Sequence, residues 1–311
     1  MNTPLNTVPQ SALESPAIAP AALATTRPLY WSVRRELWEN HSIYVAPLAV
    51  AGFVLLGFSI SALRWPEKLR AALALDPAKQ HEALLTPYYF AAFMIILTAF
   101  FVGVFYSLDA LYAERRDRSV LFWKSLPVSD FTAVLSKVSI PLVALPLVSF
   151  SIIVATRGIM LLLHVAVLRT GGLSAAPLLT QLHFFASSLA VLYALAVEAL
   201  WYAPIYGWML LVSVWARRAT FLWATLPLLA IWVVEKLAFN TEHFGALLKY
   251  RLFGWYGQAF VAQASGPLTA SPLNDLAPGR FLSTPGLWFG LMFAVVLFAA
   301  AVRLRRYRSP L

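Results

Sequence analysis

Long apolar stretches alternate along this chain with short charged segments. A helix needs about 20 mostly apolar residues to cross hydrocarbon, and six stretches supply them: Ile43–Leu63, Tyr88–Leu111, Val138–Leu168, Leu182–Ala216, Ala219–Ala238 and Leu287–Leu304. The first carries no charge, and the second only Asp109 near its end. The third is interrupted by Pro141, Pro146, Arg157 and Gly158. The fourth holds Glu198, then Pro204 and Gly207, and the fifth Pro227. At its length the fourth is either one tilted, protruding helix or a crossing followed by a partial hairpin. The pattern predicts an all-α integral membrane protein with six transmembrane helices.

The flanks read differently. Residues 1–26 are rich in Ala, Pro, Ser and Thr, and Pro4, Pro9, Pro16 and Pro20 break any signal-like run. They predict a flexible, uncleaved tail. Over residues 27–42, Tyr30, Val33 and Leu37 share a helical face, with Trp31 and Trp38 beside it. Arg34, Arg35, Glu36 and Glu39 fall mostly elsewhere on the wheel. That is an N-terminal amphipathic interfacial helix, or alternatively an extension of the first span. The transmembrane domain is then 43–304, followed by a basic tail over 305–311.

Lys and Arg near span ends set orientation. With both termini inside, one side gathers Arg27, Arg34, Arg35, Arg115, Arg116, Arg118, Lys124, Lys137, Arg217, Arg218, Arg303, Arg305, Arg306 and Arg308. The other side holds fewer basic residues, in longer loops. Of these outer loops, 64–87 contains KLRAALALD, a short interfacial helix by pattern. The other, 240–285, contains FGALLKYRLFGWYGQAF, which either re-enters the membrane or lies on it.

Composition narrows the class. Hydrophobic residues make up 60% of the 311 and charged residues 12%, against about 45–50% and 25% in soluble domains. A water-soluble globule and a disordered chain are both excluded. The net charge of +10 points to anionic lipid and not to nucleic acid. With no cysteine, disulfides, thiolate metal sites and a Cys nucleophile are excluded.

Catalytic and cofactor motifs are missing from the sequence. It has no phosphate-binding loop, no H-E-x-x-H and no G-x-S-x-G. Its five histidines are scattered; His164 and His183 would need a third ligand to hold a metal. No catalytic residue, metal site or resident cofactor is expected. Arg157 and Glu198 are charges at membrane depth, each costing at least about 2.5–3.5 kcal/mol. Counted from the outer span ends they are near enough to pair, tying the third and fourth spans, or else they line a translocation path.

The densest polar segment is the loop 112–137, YAERRDRSVLFWKSLPVSDFTAVLSK. Glu114 and Arg118 are spaced to pair. Phe122 and Trp123 follow, Pro127 breaks the helix, and Ser129 or Asp130 can cap the next one. The loop is either a firm knob for a soluble partner or a basic anchor with an ordinary turn.

The run ERRDRSVLFWKSLPVSD resembles the loop between spans two and three of permease subunits in ABC-2 type bacterial transporters. Six spans, an amphipathic lead-in and a basic C-terminus agree with that layout over roughly residues 28–305. The resemblance implies a coupling helix that docks on a separate ATP-binding subunit, present in two copies, which holds ATP and Mg. Glu114, Arg115, Arg116, Asp117, Arg118, Phe122, Trp123, Lys124, Pro127 and Asp130 are then the docking surface. A second permease, the same or different, would complete the device, with Gly103 and Ser107 a candidate small-residue pairing face. The resemblance further implies the bacterial inner membrane, both termini cytosolic, and export. The residues alone leave two other readings open: a stand-alone ion-coupled carrier using Glu198, and a membrane enzyme acting on lipid headgroups.

Overall fold

The computed structural model describes residues 28–62, 77–117, 129–172, 176–261 and 273–307, with Arg64, Trp65, Glu67, Ala71, Leu75 and Ser174 between them. The expected tail over 1–26, most of the KLRAALALD segment and most of the 112–137 loop lie outside these residues. Among the described residues the elements are helical, apart from one bridge between Phe260 and Leu276.

Helix α1 is Pro28–Glu39 and α2 is Ser42–Ala62. Helix α3, Pro77–Arg116, runs for 40 residues, about 60 Å. It therefore starts well before the predicted span and overshoots a hydrocarbon core of about 30 Å. The third span is α4 (Asp130–Ser139), a π-helical turn (Ile140–Ala144) and α5 (Leu145–Thr170) in one continuous rod. Pro141 and Pro146 cannot donate backbone hydrogen bonds. The wider turn accommodates them without the break their positions predict. A short α6 (Ala176–Leu182) precedes α7, Phe184–Trp215. The 32 residues of α7 form a single helix through Pro204, so the fourth span is the long helix and not a hairpin. Then come α8 (Thr220–Val234), which a second π-helical turn continues to Phe239, α9 (His243–Ala259), α10 (Pro278–Leu282) and α11 (Pro285–Tyr307). Six of these rods are long and apolar enough to cross a membrane, and the chain is an all-α, multi-pass membrane protein.

Helix α7 is the hub, packed on α11 and α3 and more lightly on α5, while α2 packs on α5 and α3. Gly103 lets α3 approach α7: a Cβ there would meet the Tyr206 ring at 2.9 Å. Ser107 is fully buried and bonds back to the Gly103 carbonyl at 2.7 Å. The small face offered for a second permease is thus consumed inside this chain. By contrast α8 buries only Ala224.

Three further expectations change. Residues 305–307 belong to α11 and not to a free tail. In α1, Val33 and Leu37 pack inward and Tyr30, Trp31 and Trp38 are exposed; what changes is Glu36, which is buried at 3% and not on a polar outer face. Arg34 lies over both the Trp31 and Trp38 rings, at 5.3 and 4.9 Å. Helix α9 folds back along α7 and does not lie flat. Trp201 and Tyr202, near the middle of α7, donate to the Arg251 and Leu252 carbonyls at 2.8 and 2.7 Å. The charge of Arg251 is housed beside Gly290, where a Cβ would collide with its guanidinium, and that group donates to the Gly286 carbonyl at 3.2 Å.

Candidate functional site

The site is built where α1, α3, α4 and α11 converge. Ser129 caps α4 by accepting from the Thr132 N–H at 3.1 Å. On α4, Asp130 and Lys137 are two turns apart and share a face. Lys137 is 3% exposed, and its Nζ lies 2.8 Å from Glu36 Oε1 on α1 and 3.1 Å from Glu114 Oε1 on α3. The other Glu114 oxygen lies 3.2 Å from Arg305 Nη2 on α11. Arg305 Nη1 reaches Asp130 Oδ1 at 2.5 Å. Arg35 stands 4.0 Å from Glu114, and Tyr106 donates to Glu36 Oε2 at 2.8 Å.

The arrangement is an alternating chain of charges, Glu36–Lys137–Glu114–Arg305–Asp130, whose members come from four helices. Charge-assisted bonds of this kind are about twice as strong as neutral ones. Removing one member strands the others in a low-dielectric surround. The cluster therefore clamps the two helices that flank the 118–128 segment to each other, to α1 and to α11.

The predicted docking residues divide on this geometry. Glu114 and Arg115 are 7% and 5% exposed. Glu114 belongs to the clamp, and Arg115 donates to the Val214 and Ala216 carbonyls at the end of α7. As internal residues they offer a partner no surface. Asp130 is engaged with Arg305. Arg116 and Asp117 are exposed and pair with each other at 3.0 Å, with Arg116 5.9 Å above the Tyr112 ring. Arg118, Phe122, Trp123, Lys124 and Pro127 lie outside the described residues.

Sequence reasoning placed Glu36 on the polar side of α1, Lys137 as a plain anchor and Arg305 in a tail. The available signal was the Asp130–Lys137 spacing, which puts two charges on the buried side of a helix also bearing Val134 and Val138.

The two intramembrane charges do not pair. Arg157 Nη2 donates to Ser187 Oγ at 2.8 Å, and its Nε finds no partner among the described residues. Glu198 lies eleven residues beyond Ser187 on α7, about 16 Å along the helix, too far for an Arg side chain. The depth count fails because the outer ends of the two helices are not level: Arg157, well inside α5, meets Ser187 in the first turn of α7. Arg157 still ties the third span to the fourth, through a hydroxyl. Glu198 is 7% exposed and sits among Phe100, Pro141, Pro146 and Tyr206 beside the π-helical turn.

His164 and His183 also stay apart. His164 is buried, with Nδ1 2.6 Å from the Tyr88 hydroxyl and its ring against Trp65 and Phe58. His183 is exposed, at a left-handed residue before α7. Among the described residues no cluster of His, Asp and Glu could hold a metal ion. No family model, curated protein or solved structure matches the chain.

Proposed function

We propose that this chain is the membrane-spanning permease subunit of an ABC-2 type, ATP-driven transporter, an exporter coupled to a separate ATP-binding subunit through the segment between α3 and α4. In this reading the partner, in two copies, binds and hydrolyses ATP with Mg, and the chain itself catalyses nothing. A second permease, identical or different, completes the pathway. The charged end faces the cytosol of a bacterial inner membrane, with both termini there.

The observation that carries the reading is the clamp. A push on the 118–128 segment reaches Asp117 on one side and Ser129 on the other. The Glu114–Lys137 and Asp130–Arg305 contacts spread it to α1 and α11. A segment held this way moves four helices as a body, which is what conversion of ATP-driven closure into span tilting requires.

The test is co-purification in detergent with the ATPase expressed alongside. The variant is Arg116→Glu, Asp117→Arg, Lys124→Glu, which avoids the internal Arg115. Loss of ATPase from the purified complex at unchanged thermal stability is expected. Full retention removes the segment from the docking role.

A second reading has its own observation. No ion pair or hydrogen bond reaches the enclosed Glu198 carboxyl among the described residues, and a carboxyl so placed suits a proton-coupled carrier. Transport by the purified chain in vesicles under a pH gradient, without any ATPase and abolished by Glu198→Gln, would establish it.

A further inference from the structure

Beside the clamp, α4 and α11 leave an open apolar groove of about 580 Å³ between them. Phe131, Leu135 and Val138 form one wall, and Val295, Ala299 and Val302 the other. Along α11 the wall runs from Val295 to Tyr307, about 18 Å. Its volume falls within the roughly 300–1,000 Å³ typical of small-molecule sites. The groove ends at two guanidinium groups, Arg303 and Arg306, which with Tyr307 stand on its rim. Both arginines are exposed. Neither makes an ion pair, hydrogen bond or ring contact among the described residues. Their neighbour Arg305 points the other way, into the clamp, where it takes up Glu114 and Asp130.

We propose that this groove is a binding site for an anionic phospholipid, with an acyl chain lying between α4 and α11 and the phosphate held by Arg303 and Arg306. The argument is one of matched parts. An apolar trough opening sideways from a membrane-spanning helix pair faces hydrocarbon, so a chain is its natural filling. Two guanidinium groups one helical turn apart present planar donor forks that match phosphate oxygens. Basic pockets between spans select anionic headgroups for this reason. A zwitterionic lipid would bring its ammonium beside the same two cations. A second copy of this chain, seated by a two-fold axis on the groove, would set Arg303 and Arg306 against their own equivalents, which like charge disfavours. The site stands on the groove and its rim alone, so it holds whether or not the chain is a permease.

The position gives the lipid something to act on. Both walls are helices of the clamp, so an occupant between them props α11 against α4 beside the Arg305–Asp130 contact.

The experiment uses the full chain in detergent, with native mass spectrometry counting retained lipid. The probes are dioleoyl-phosphatidylglycerol, dioleoyl-phosphatidylcholine and soluble glycerol phosphate. Preferential retention of phosphatidylglycerol is expected. Arg303→Gln with Arg306→Gln should reduce it roughly thirtyfold, the combined worth of two basic side chains at an anionic headgroup. Arg217→Gln with Arg218→Gln, at exposed positions off the groove, should leave it unchanged. Ala299→Trp, which fills the trough, should lower retention with both arginines intact, and Ala299→Leu should do so in part if the larger change impairs folding. Equal retention of the two lipids overturns the proposal, as does a preference that survives the Arg303/Arg306 change. Protection by glycerol phosphate equal to that by the lipid would mean a bare anion site. A purified species of twice the chain mass that Ala299→Trp splits would mean that a second copy occupies the groove.

Discussion

Where α1, α3, α4 and α11 meet, Lys137 lies against Glu36 and Glu114, and Arg305 against Glu114 and Asp130. Toward the other end, Arg157 and Arg251 have no carboxylate partner among the described residues. Arg157 is held by the Ser187 hydroxyl, and Arg251 by the Gly286 carbonyl and, at 4.9 Å, the Trp201 ring. The first arrangement couples four helices, because each charge depends on the next. The second consists of separate contacts, each worth no more than one hydrogen bond to a charged group, about 1–3 kcal/mol. One end of the bundle is thus tied as a block, while the other is joined contact by contact.

The contrast is broken most severely at Glu114, which serves two cations at once. Glu114→Gln removes the central negative charge, leaving Lys137 with Glu36 alone and Arg305 with the half-buried Asp130 alone. A loss of about 3–5 kcal/mol is expected, the usual cost of uncovering a buried charge. Thermal unfolding in detergent measures it. Glu36→Gln should cost less, because Lys137 keeps Glu114. Equal effects of the two would mean that the cluster is not a chain centred on Glu114.

At the other end, the sharpest test is steric. Gly290→Ala puts a methyl group where the Arg251 guanidinium lies, and overpacking of this kind costs about 1–3 kcal/mol. Combining it with Arg251→Met should recover most of that loss, because the slot is then free. A double-mutant cycle on unfolding reports the coupling. Additive losses would show that Gly290 does not serve Arg251.

The spans were legible because a run of about 20 apolar residues has few other fates in a helical chain. All six were readable, as was the Ser129 or Asp130 cap, because these depend on local sequence. What escaped was set by partners distant in sequence. Glu36 is drawn inward by Lys137, about a hundred residues away. Arg251 is likewise placed by Gly286 and Gly290, some 35 residues on, which give it a slot. Pro141 and Pro146 read as a break, yet a π-helical turn absorbs them. The Arg157–Glu198 pairing failed for a geometric reason: counting depth from two span ends assumes that the ends are level, and those of α5 and α7 are not.

The smallest expected effect is at Arg157, and it decides whether the comparison is about partners or about burial. Arg157 is as enclosed as Glu114, at 2% exposed. If burial alone set the cost, replacing it would hurt as much. Among the described residues its one hydrogen-bond partner is Ser187, and its Nε is unsatisfied. Ser187→Ala alone leaves the guanidinium with less than it has and should cost about 1–3 kcal/mol. Arg157→Met with Ser187→Ala removes donor and acceptor together, and the flexible thioether fills the space. The pair should unfold within about 1 kcal/mol of the parent, since replacing both members of a buried hydrogen bond by apolar groups is nearly neutral. A loss matching that of Glu114→Gln would mean that Arg157 carries more than this bond, and that the two ends of the bundle are alike after all.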